Sequence, residues 1–204
     1  MNRWMLVGLH GYGETGAEMR SRLAAVLPPA APEPEWFTPD GSLPATLAKS
    51  GFAWHGLTRR PDAMASQARA QVPSLCDEVR KRCREAGLSA KDVAAVGFSQ
   101  GGVLAGGLLA AGACAAAVAV GAPVLVETGA EPPWQGLRLL HIAGGEDRTL
   151  PGGEFGAGHP LLASGAAEFV ELPAMGHEFA EEAAAKAIEF ALSALGHARA
   201  GSAT

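Results

Sequence analysis

The sequence predicts an α/β fold in which a mainly parallel sheet is flanked by helices. Short apolar runs, such as residues 4–9 and 115–120, alternate with longer segments of helical periodicity, and this alternation is typical of parallel sheets. The first run is apolar throughout, as in strands that are buried on both faces. A chain of 204 residues fits one domain, which we place at residues 1–196, followed by a frayed tail over 197–204.

The predicted elements follow one another in a regular order. Strands are predicted over residues 4–9, 36–38, 92–98, 115–120, 137–143 and 168–172, and helices over 17–26, 100–111 and 178–195. A long amphipathic helix carries apolar residues at three- and four-residue spacings from Ala68 to Cys83. We expect Pro73 to kink this helix or mark a second start, and Gly87 to end it. Residues 39–61 are rich in glycine and proline and are predicted to form a long irregular loop.

Composition argues against several classes of protein. The formal charge is −5, the pI is near 5.7 and no basic face dominates, so no nucleic-acid partner is expected. The apolar run at the N-terminus is too short for a signal peptide, and glycines divide the alanine-rich segment 103–120. We therefore expect no membrane span and a cytoplasmic protein. Cys76, Cys83 and Cys114 are expected to be buried free thiols, since the first two lie about 10 Å apart on one helix.

The segment Gly97-Phe98-Ser99-Gln100-Gly101 matches the pattern G-x-S-x-G. It lies between an apolar run, residues 93–96, and a helical run, which is the strand–turn–helix setting of a nucleophile elbow. Such a sharp turn strains the serine backbone and leaves no room for side chains two residues to either side. It presents the Ser99 hydroxyl and directs the N–H of Gln100 toward a developing oxyanion. The alternative is an ordinary helix start with Ser99 as the N-cap.

A serine nucleophile needs a base, and His177 has the most suitable setting among the histidines. It lies in a glycine-containing turn between the last strand and the last helix, at the carboxyl edge of the sheet that also carries Ser99. His141 is predicted to be a core residue in a strand, and His197 lies in the tail. His55 and His159 are expected to be surface residues of loops.

The acid that orients the imidazole is predicted to be Asp147, which follows the strand over residues 137–143. Its neighbour Glu146 is the alternative. The order Ser99, Asp147, His177 is that of α/β-hydrolases and differs from the chymotrypsin and subtilisin orders.

The first turn, Leu9-His10-Gly11-Tyr12-Gly13, supplies a further candidate group. Its glycines let the backbone approach a ligand closely, and we expect the Tyr12 N–H to pair with that of Gln100 around an oxyanion. The alternative is a strand–helix turn that binds nothing. Phosphate binding is disfavoured, because no lysine accompanies the turn.

Taken together, these motifs resemble the carboxylesterase/phospholipase group, which includes acyl-protein thioesterases and small bacterial esterases. The resemblance rests on Leu9–Gly13, Gly51–Trp54, Gly97–Gly102, Gly144 to Pro151 around Asp147, and Met175–Glu178. It implies an α/β-hydrolase fold with the triad Ser99, Asp147 and His177, and oxyanion N–H donors at Tyr12 and Gln100. The chain departs from the family pattern at His55, where an aromatic residue is usual, and at Glu14-Thr15-Gly16, where an aspartate is frequent.

The function that this resemblance implies is hydrolysis of small to medium acyl esters through an acyl-enzyme intermediate, with no metal or organic cofactor. The alternatives are a thioesterase acting on S-acyl proteins or acyl-CoA, an enzyme like dienelactone hydrolase, and a non-catalytic binding module. Ser99 counts against the dienelactone hydrolase reading, since that nucleophile is typically cysteine.

The chain is too short for a helical cap, and residues 122–136 are predicted to form a short loop. We therefore expect an open, shallow site, walled partly by residues 39–61. Trp54 is predicted to lie near its rim or beneath it as a substrate-binding residue, with a purely structural anchor as the alternative.

Overall fold

The strands that carry the candidate motifs form one parallel sheet. The computed structural model describes residues 3–58, 61–123, 138–149 and 167–196. Within these ranges the strands are β1 Met5–Leu9, β2 Glu35–Phe37, β3 Leu43–Pro44, β4 Phe52–Ala53, β5 Val93–Phe98, β6 Ala116–Val120, β7 Arg138–Gly144 and β8 Ala167–Leu172. The sheet has the spatial order β2-β1-β5-β6-β7-β8, and each of its neighbouring pairs is parallel. The carboxyl ends of β1, β5, β7 and β8 therefore meet at one edge.

Helices cover both faces of this sheet: α1 Gly16–Ala25, α2 Pro61–Ala86, α3 Gln100–Ala110 and α4 Glu181–Ala194. Successive side chains of a strand point to opposite faces, so β1 contributes to two cores. Val7 and Leu9 pack in the cluster formed with α2 and α3. Leu6 packs in the cluster formed with α1 and α4. Burial on both faces explains why the central strands are apolar along their whole length.

The predicted α/β class is confirmed, with element boundaries shifted by one to three residues. Helix α2 ends at Ala86 as predicted, because Gly87 takes a φ of +67° there. The helix continues through Pro73, which therefore marks no second start. The prediction of an irregular loop over residues 39–61 was wrong in part, because β3 and β4 pair as a short antiparallel ribbon.

The described cysteines are all free and buried. Burial raises the pKa of the Cys76, Cys83 and Cys114 thiols above their usual range. Since the thiolate is the nucleophilic form, these thiols are poor nucleophiles at neutral pH.

No helix among the described residues is long and apolar enough to cross a bilayer. The predicted loop over residues 122–136 falls almost wholly outside the described residues, as do His159, His197 and the predicted tail.

Candidate active site

Ser99 sits directly after β5 in a strained turn. Its φ is 51° and its ψ −117°, and among the described residues it alone has a positive φ without being glycine. Such a conformation costs about 1–3 kcal/mol and persists only where the surroundings enforce it. Here the Ser99 N–H donates to the Val120 carbonyl over 2.9 Å, and the Gly102 N–H donates to the Ser99 carbonyl over 3.0 Å. Ser99 is the N-cap of α3, but its side chain makes no capping hydrogen bond. The hydroxyl is therefore left to other partners.

The glycines around Ser99 are required by space. A Cβ on Gly97 would collide with the carbonyl of Gly101, and a Cβ on Gly101 would collide with the carbonyl of Leu9. A Cβ on Gly102 would lie 2.5 Å from the Cβ of Ala122. The elbow thus packs against the backbone that follows β1, which brings the first turn of the chain beside the serine.

The structure brings Ser99, His177 and Asp147 into one hydrogen-bonded chain. The Nε2 atom of His177 lies 3.1 Å from the Ser99 Oγ, and its Nδ1 lies 2.7 Å from Asp147 Oδ2. In the neutral tautomer that carries its proton on Nδ1, the imidazole donates to the carboxylate of Asp147, and Nε2 can accept from the serine hydroxyl. The Phe98 ring lies 5.2 Å from the imidazole, centroid to centroid, and supports it from one side.

Asp147, rather than Glu146, faces the imidazole. The Asp147 side chain is 1% exposed, and its second oxygen, Oδ1, accepts from the Thr149 N–H over 2.8 Å. Glu146 is exposed, and its N–H donates to the carbonyl of Met175 over 3.0 Å. This bond joins the loop after β7 to the loop after β8, which carries His177. The close approach leaves no room for a Cβ on Gly144, which would collide with the Met175 carbonyl.

The predicted oxyanion donors lie on the two turns that meet at the elbow. Tyr12 follows β1 and Gln100 begins α3. Among the described residues, neither N–H donates a backbone hydrogen bond. The Tyr12 hydroxyl accepts from the N–H of Leu47 over 2.9 Å, so this side chain is turned toward the segment between β3 and β4.

Glu14 holds the turn after β1 from the other side. One carboxylate oxygen accepts from the Gly11 N–H over 2.9 Å, and the other pairs with Arg22 of α1 over 2.6 Å. The backbone of Glu14 also bridges to β4, because its carbonyl accepts from the Phe52 N–H over 2.9 Å. Glu14 therefore places a carboxylate against the backbone of this turn.

The histidine prediction was wrong at one position. His55 was expected at the surface, yet it is 2% exposed. Its carbonyl accepts from the Gln100 Nε2 over 3.0 Å, while its own Nε2 is buried without a hydrogen-bond partner. His141 is 6% exposed within β7, as predicted for a core residue. Trp54 lies beneath the turn after β1 and not at a rim, since it is 5% exposed and its indole N–H donates to the His10 carbonyl over 2.9 Å.

The sequence also matches a known protein family. The phospholipase/carboxylesterase family model matches residues 2–194. The chain belongs to this family.

Solved structures similar to this family member include three named hydrolases. Esterase PE8 is 22% identical, with a TM-score of 0.73, and the match covers 92% of this chain and 91% of that one. The carboxylesterase of Bacillus cereus is 19% identical, with a TM-score of 0.73 and coverages of 94% and 89%. Acyl-protein thioesterase 2 of Zea mays is 18% identical, with a TM-score of 0.70 and coverages of 96% and 95%. At these identities the structures show a shared α/β-hydrolase fold.

Sequence reasoning missed the polar side chains that support the two turns: His10, Glu14, His55 and the amide group of Gln100. Polar residues among the apolar and glycine positions of the first turn, His10 and Glu14, were the available signal, because a polar side chain that is packed into such a turn is retained only where it finds partners. Among the described residues, no group of three His, Cys, Asp or Glu side chains is arranged to hold a metal ion.

Proposed function

We propose that this family member is a serine carboxylesterase that hydrolyses small to medium acyl esters through an acyl-enzyme intermediate, with Ser99, His177 and Asp147 as its triad. One observation carries the proposal. The hydroxyl of a residue in a strained, otherwise unfavourable backbone conformation lies 3.1 Å from an imidazole that is held by a buried carboxylate. This is the relation of nucleophile, base and orienting group that acyl transfer requires.

In the proposed reaction the Ser99 Oγ attacks the ester carbonyl while His177 Nε2 takes the hydroxyl proton. The tetrahedral intermediate collapses, the imidazolium returns this proton to the leaving alcohol, and Ser99 remains acylated. Water, deprotonated by His177, then attacks the acyl-enzyme, and the imidazolium returns the proton to Ser99 Oγ as the carboxylic acid is released. Because the imidazole must be neutral to act as a base, kcat/KM is expected to fall as lowering the pH protonates it.

The N–H groups of Tyr12 and Gln100 are the proposed oxyanion donors. Both lie on turns that meet at Ser99, and the Gln100 N–H belongs to the residue after the nucleophile, as in other nucleophile elbows. Loss of one such donor typically costs about 10²–10³-fold in kcat.

The surface beside these turns supports an apolar acyl or alkyl group. The large apolar side chains that are exposed in the described residues all belong to residues 43–57, which also bond to the turn after β1. They are Leu43, Leu47, Phe52 and Leu57.

A thioesterase with the same triad is the second candidate, and the structural similarity to an acyl-protein thioesterase favours it equally. A cysteine nucleophile is disfavoured, because the described thiols are buried and have raised pKa values. A cytoplasmic location stays a prediction.

Active-site labelling tests the proposal directly. A fluorophosphonate probe should label the wild-type protein once per chain, and Ser99→Ala should abolish both labelling and ester hydrolysis without lowering Tm. The matched control is Ser193→Ala, an exposed serine of α4, which should behave as wild type. A folded Ser99→Ala protein with near-wild-type turnover would refute the triad. Matched esters and thioesters of increasing acyl length then separate the two candidate activities by kcat/KM.

A further inference from the structure

Trp54 bonds to both turns that carry the proposed oxyanion donors. Its indole N–H donates to the His10 carbonyl over 2.9 Å, and its backbone N–H donates to the Gln100 Oε1 over 3.0 Å. These bonds span 44 and 46 residues of sequence. Trp54, which directly follows β4, therefore joins the turn after β1 to the turn after β5.

The His10 side of this link is rigid. The ring of Trp54 packs on the His10 ring with centroids 5.1 Å apart. The Gly41 N–H donates to His10 Nε2 over 2.9 Å, so the ring proton lies on Nδ1 and is donated to the Gly11 carbonyl over 2.7 Å. Both carbonyls that precede Tyr12 are thereby held, and the plane of the Gly11–Tyr12 peptide sets the direction of the Tyr12 N–H.

The Gln100 side is held in the same manner. While its amide oxygen accepts from Trp54, its Nε2 donates to the His55 carbonyl over 3.0 Å. The amide side chain thus pairs with the backbone of residues 54–55 through two hydrogen bonds. Gln100 is 5% exposed, so both bonds form away from water, where losing one leaves an unpaired buried group.

We propose that Trp54 is a positioning residue that fixes the two oxyanion N–H donors relative to each other and to Ser99; this inference rests on the proposed function. Trp54 itself donates nothing to the substrate, since it is 5% exposed and both of its N–H groups are occupied. It also lines a pocket of about 280 Å³ with Phe37 and Leu75, and none of the described residues lining that pocket belongs to the triad. Its effect on catalysis therefore passes through Gln100 and His10.

The test compares two tryptophans that make the same kind of bond at opposite edges of the sheet. Trp54→Phe removes the indole donor to His10. Trp4→Phe is the matched control, because Trp4 is 0% exposed and its indole N–H donates to the Pro32 carbonyl over 2.8 Å at the amino edge. Gln100→Met provides a second variant on the other turn, since it keeps the backbone N–H and removes the side-chain hydrogen bonds to residues 54 and 55.

We expect Trp54→Phe and Gln100→Met to lower kcat by about 10- to 100-fold, because the donors are displaced and not removed. KM should change less than threefold. Binding of an alkylboronic acid, which forms a tetrahedral adduct on serine, should weaken by the same factor as kcat/KM. Trp4→Phe should lower Tm by about as much as Trp54→Phe does, and it should leave kcat and boronate affinity unchanged.

Three outcomes would overturn the inference. Wild-type kcat in both Trp54→Phe and Gln100→Met would remove the positioning role while leaving the triad intact, as fluorophosphonate labelling would report. A rise in KM with unchanged kcat would instead make Trp54 a substrate contact. An equal loss of kcat in Trp4→Phe would reduce the effect to general stability. Failure of the proposed function gives a different result: Ser99→Ala would then retain wild-type turnover. If only the positioning role of Trp54 fails, Ser99→Ala is still inactive.

Discussion

The two halves of the candidate site are held together by different kinds of contact. In the half that contains Ser99, Asp147 and His177, glycines leave space for close backbone packing, both within the turn after β5 and between the loops after β7 and β8. In the half that contains Tyr12 and the Gln100 N–H, the turns after β1 and β5 are joined by polar side chains that bond to backbone groups. The first half therefore depends on the absence of side chains, whereas the second depends on side-chain hydrogen bonds in addition to the close backbone approach at Gly101.

This difference leads to different sensitivities. Close backbone packing fixes a loop sterically, so the geometry of the triad half should survive the loss of any one hydrogen bond while its chemistry does not. The oxyanion half is a network in which each side chain holds a peptide plane. Removing one member there should change the rate gradually, through displacement of a donor.

The largest expected effect separates Asp147 from Glu146. In Asp147→Asn, the amide oxygen should stay with the Thr149 N–H, which donates over 2.8 Å to Oδ1. The amide NH₂ then faces His177 Nδ1 and places the ring proton on Nε2, which can no longer accept from Ser99. We expect a loss of about 10⁴-fold in kcat, as for a comparable substitution in a serine protease.

Glu146→Gln is the matched control and should stay within a fewfold of wild type, because Glu146 is exposed. The two variants are compared by their kcat, by their rates of fluorophosphonate labelling and by their Tm. Reversed losses would mean that Glu146 orients the imidazole and that the loop after β7 rearranges in solution.

The triad half could be predicted from sequence because its constraints appear as local patterns. The glycines of Gly97-Phe98-Ser99-Gln100-Gly101 record a steric requirement within five residues, and Asp147 and His177 each follow a recognisable strand. Parallel strands carry their carboxyl ends to one edge, so the order of elements brings these loops together. Fold class followed from the same alternation of strands and helices.

The oxyanion half was predicted only in outline. Its bonds to residues 41–55 span 31 to 46 residues of sequence, and a side chain that bonds to a distant backbone group leaves no periodic signature. His55 illustrates this, because its carbonyl accepts from the side chain of Gln100, 45 residues away. The short β3–β4 ribbon was missed for a related reason: two residues per strand are too few for alternation to show.

A smaller effect is expected from Glu14, which tests whether the oxyanion half responds gradually. Glu14→Ala releases the Gly11 N–H, and we expect kcat to fall about tenfold with KM unchanged, less than for full loss of a donor. Glu14→Gln should lose less, since its amide oxygen still accepts from Gly11. Arg22→Gln removes the cation but keeps the Glu14 carboxylate that accepts from the Gly11 N–H, and its kcat should stay near that of wild type. An equal loss in Arg22→Gln would show that the ion pair, and not the bond to Gly11, sets the position of the turn.

The smallest expected effect on rate comes from a substitution of His55. This residue of the oxyanion half lowers the stability of the fold, and the proposed reaction does not use its imidazole. The Nε2 of His55 is buried without a partner, and such an atom typically costs about 1–3 kcal/mol of stability. His55→Phe replaces the ring by an apolar one and keeps the carbonyl that accepts from Gln100. The Gly56 carbonyl, which faces His55 Nδ1 over 3.0 Å, belongs to an exposed residue and can be solvated instead.

We therefore expect unfolding of His55→Phe in urea to report a gain of about 1 kcal/mol in the free energy of unfolding, with Tm higher by about 2–4 °C. Since the bonds of the Gln100 side chain to the Trp54 N–H and to the His55 carbonyl persist, kcat should remain within twofold of wild type. A loss of kcat comparable to that of Gln100→Met would show instead that the contact between the Gln100 amide and the imidazole, 3.3 Å away, helps to hold the donor.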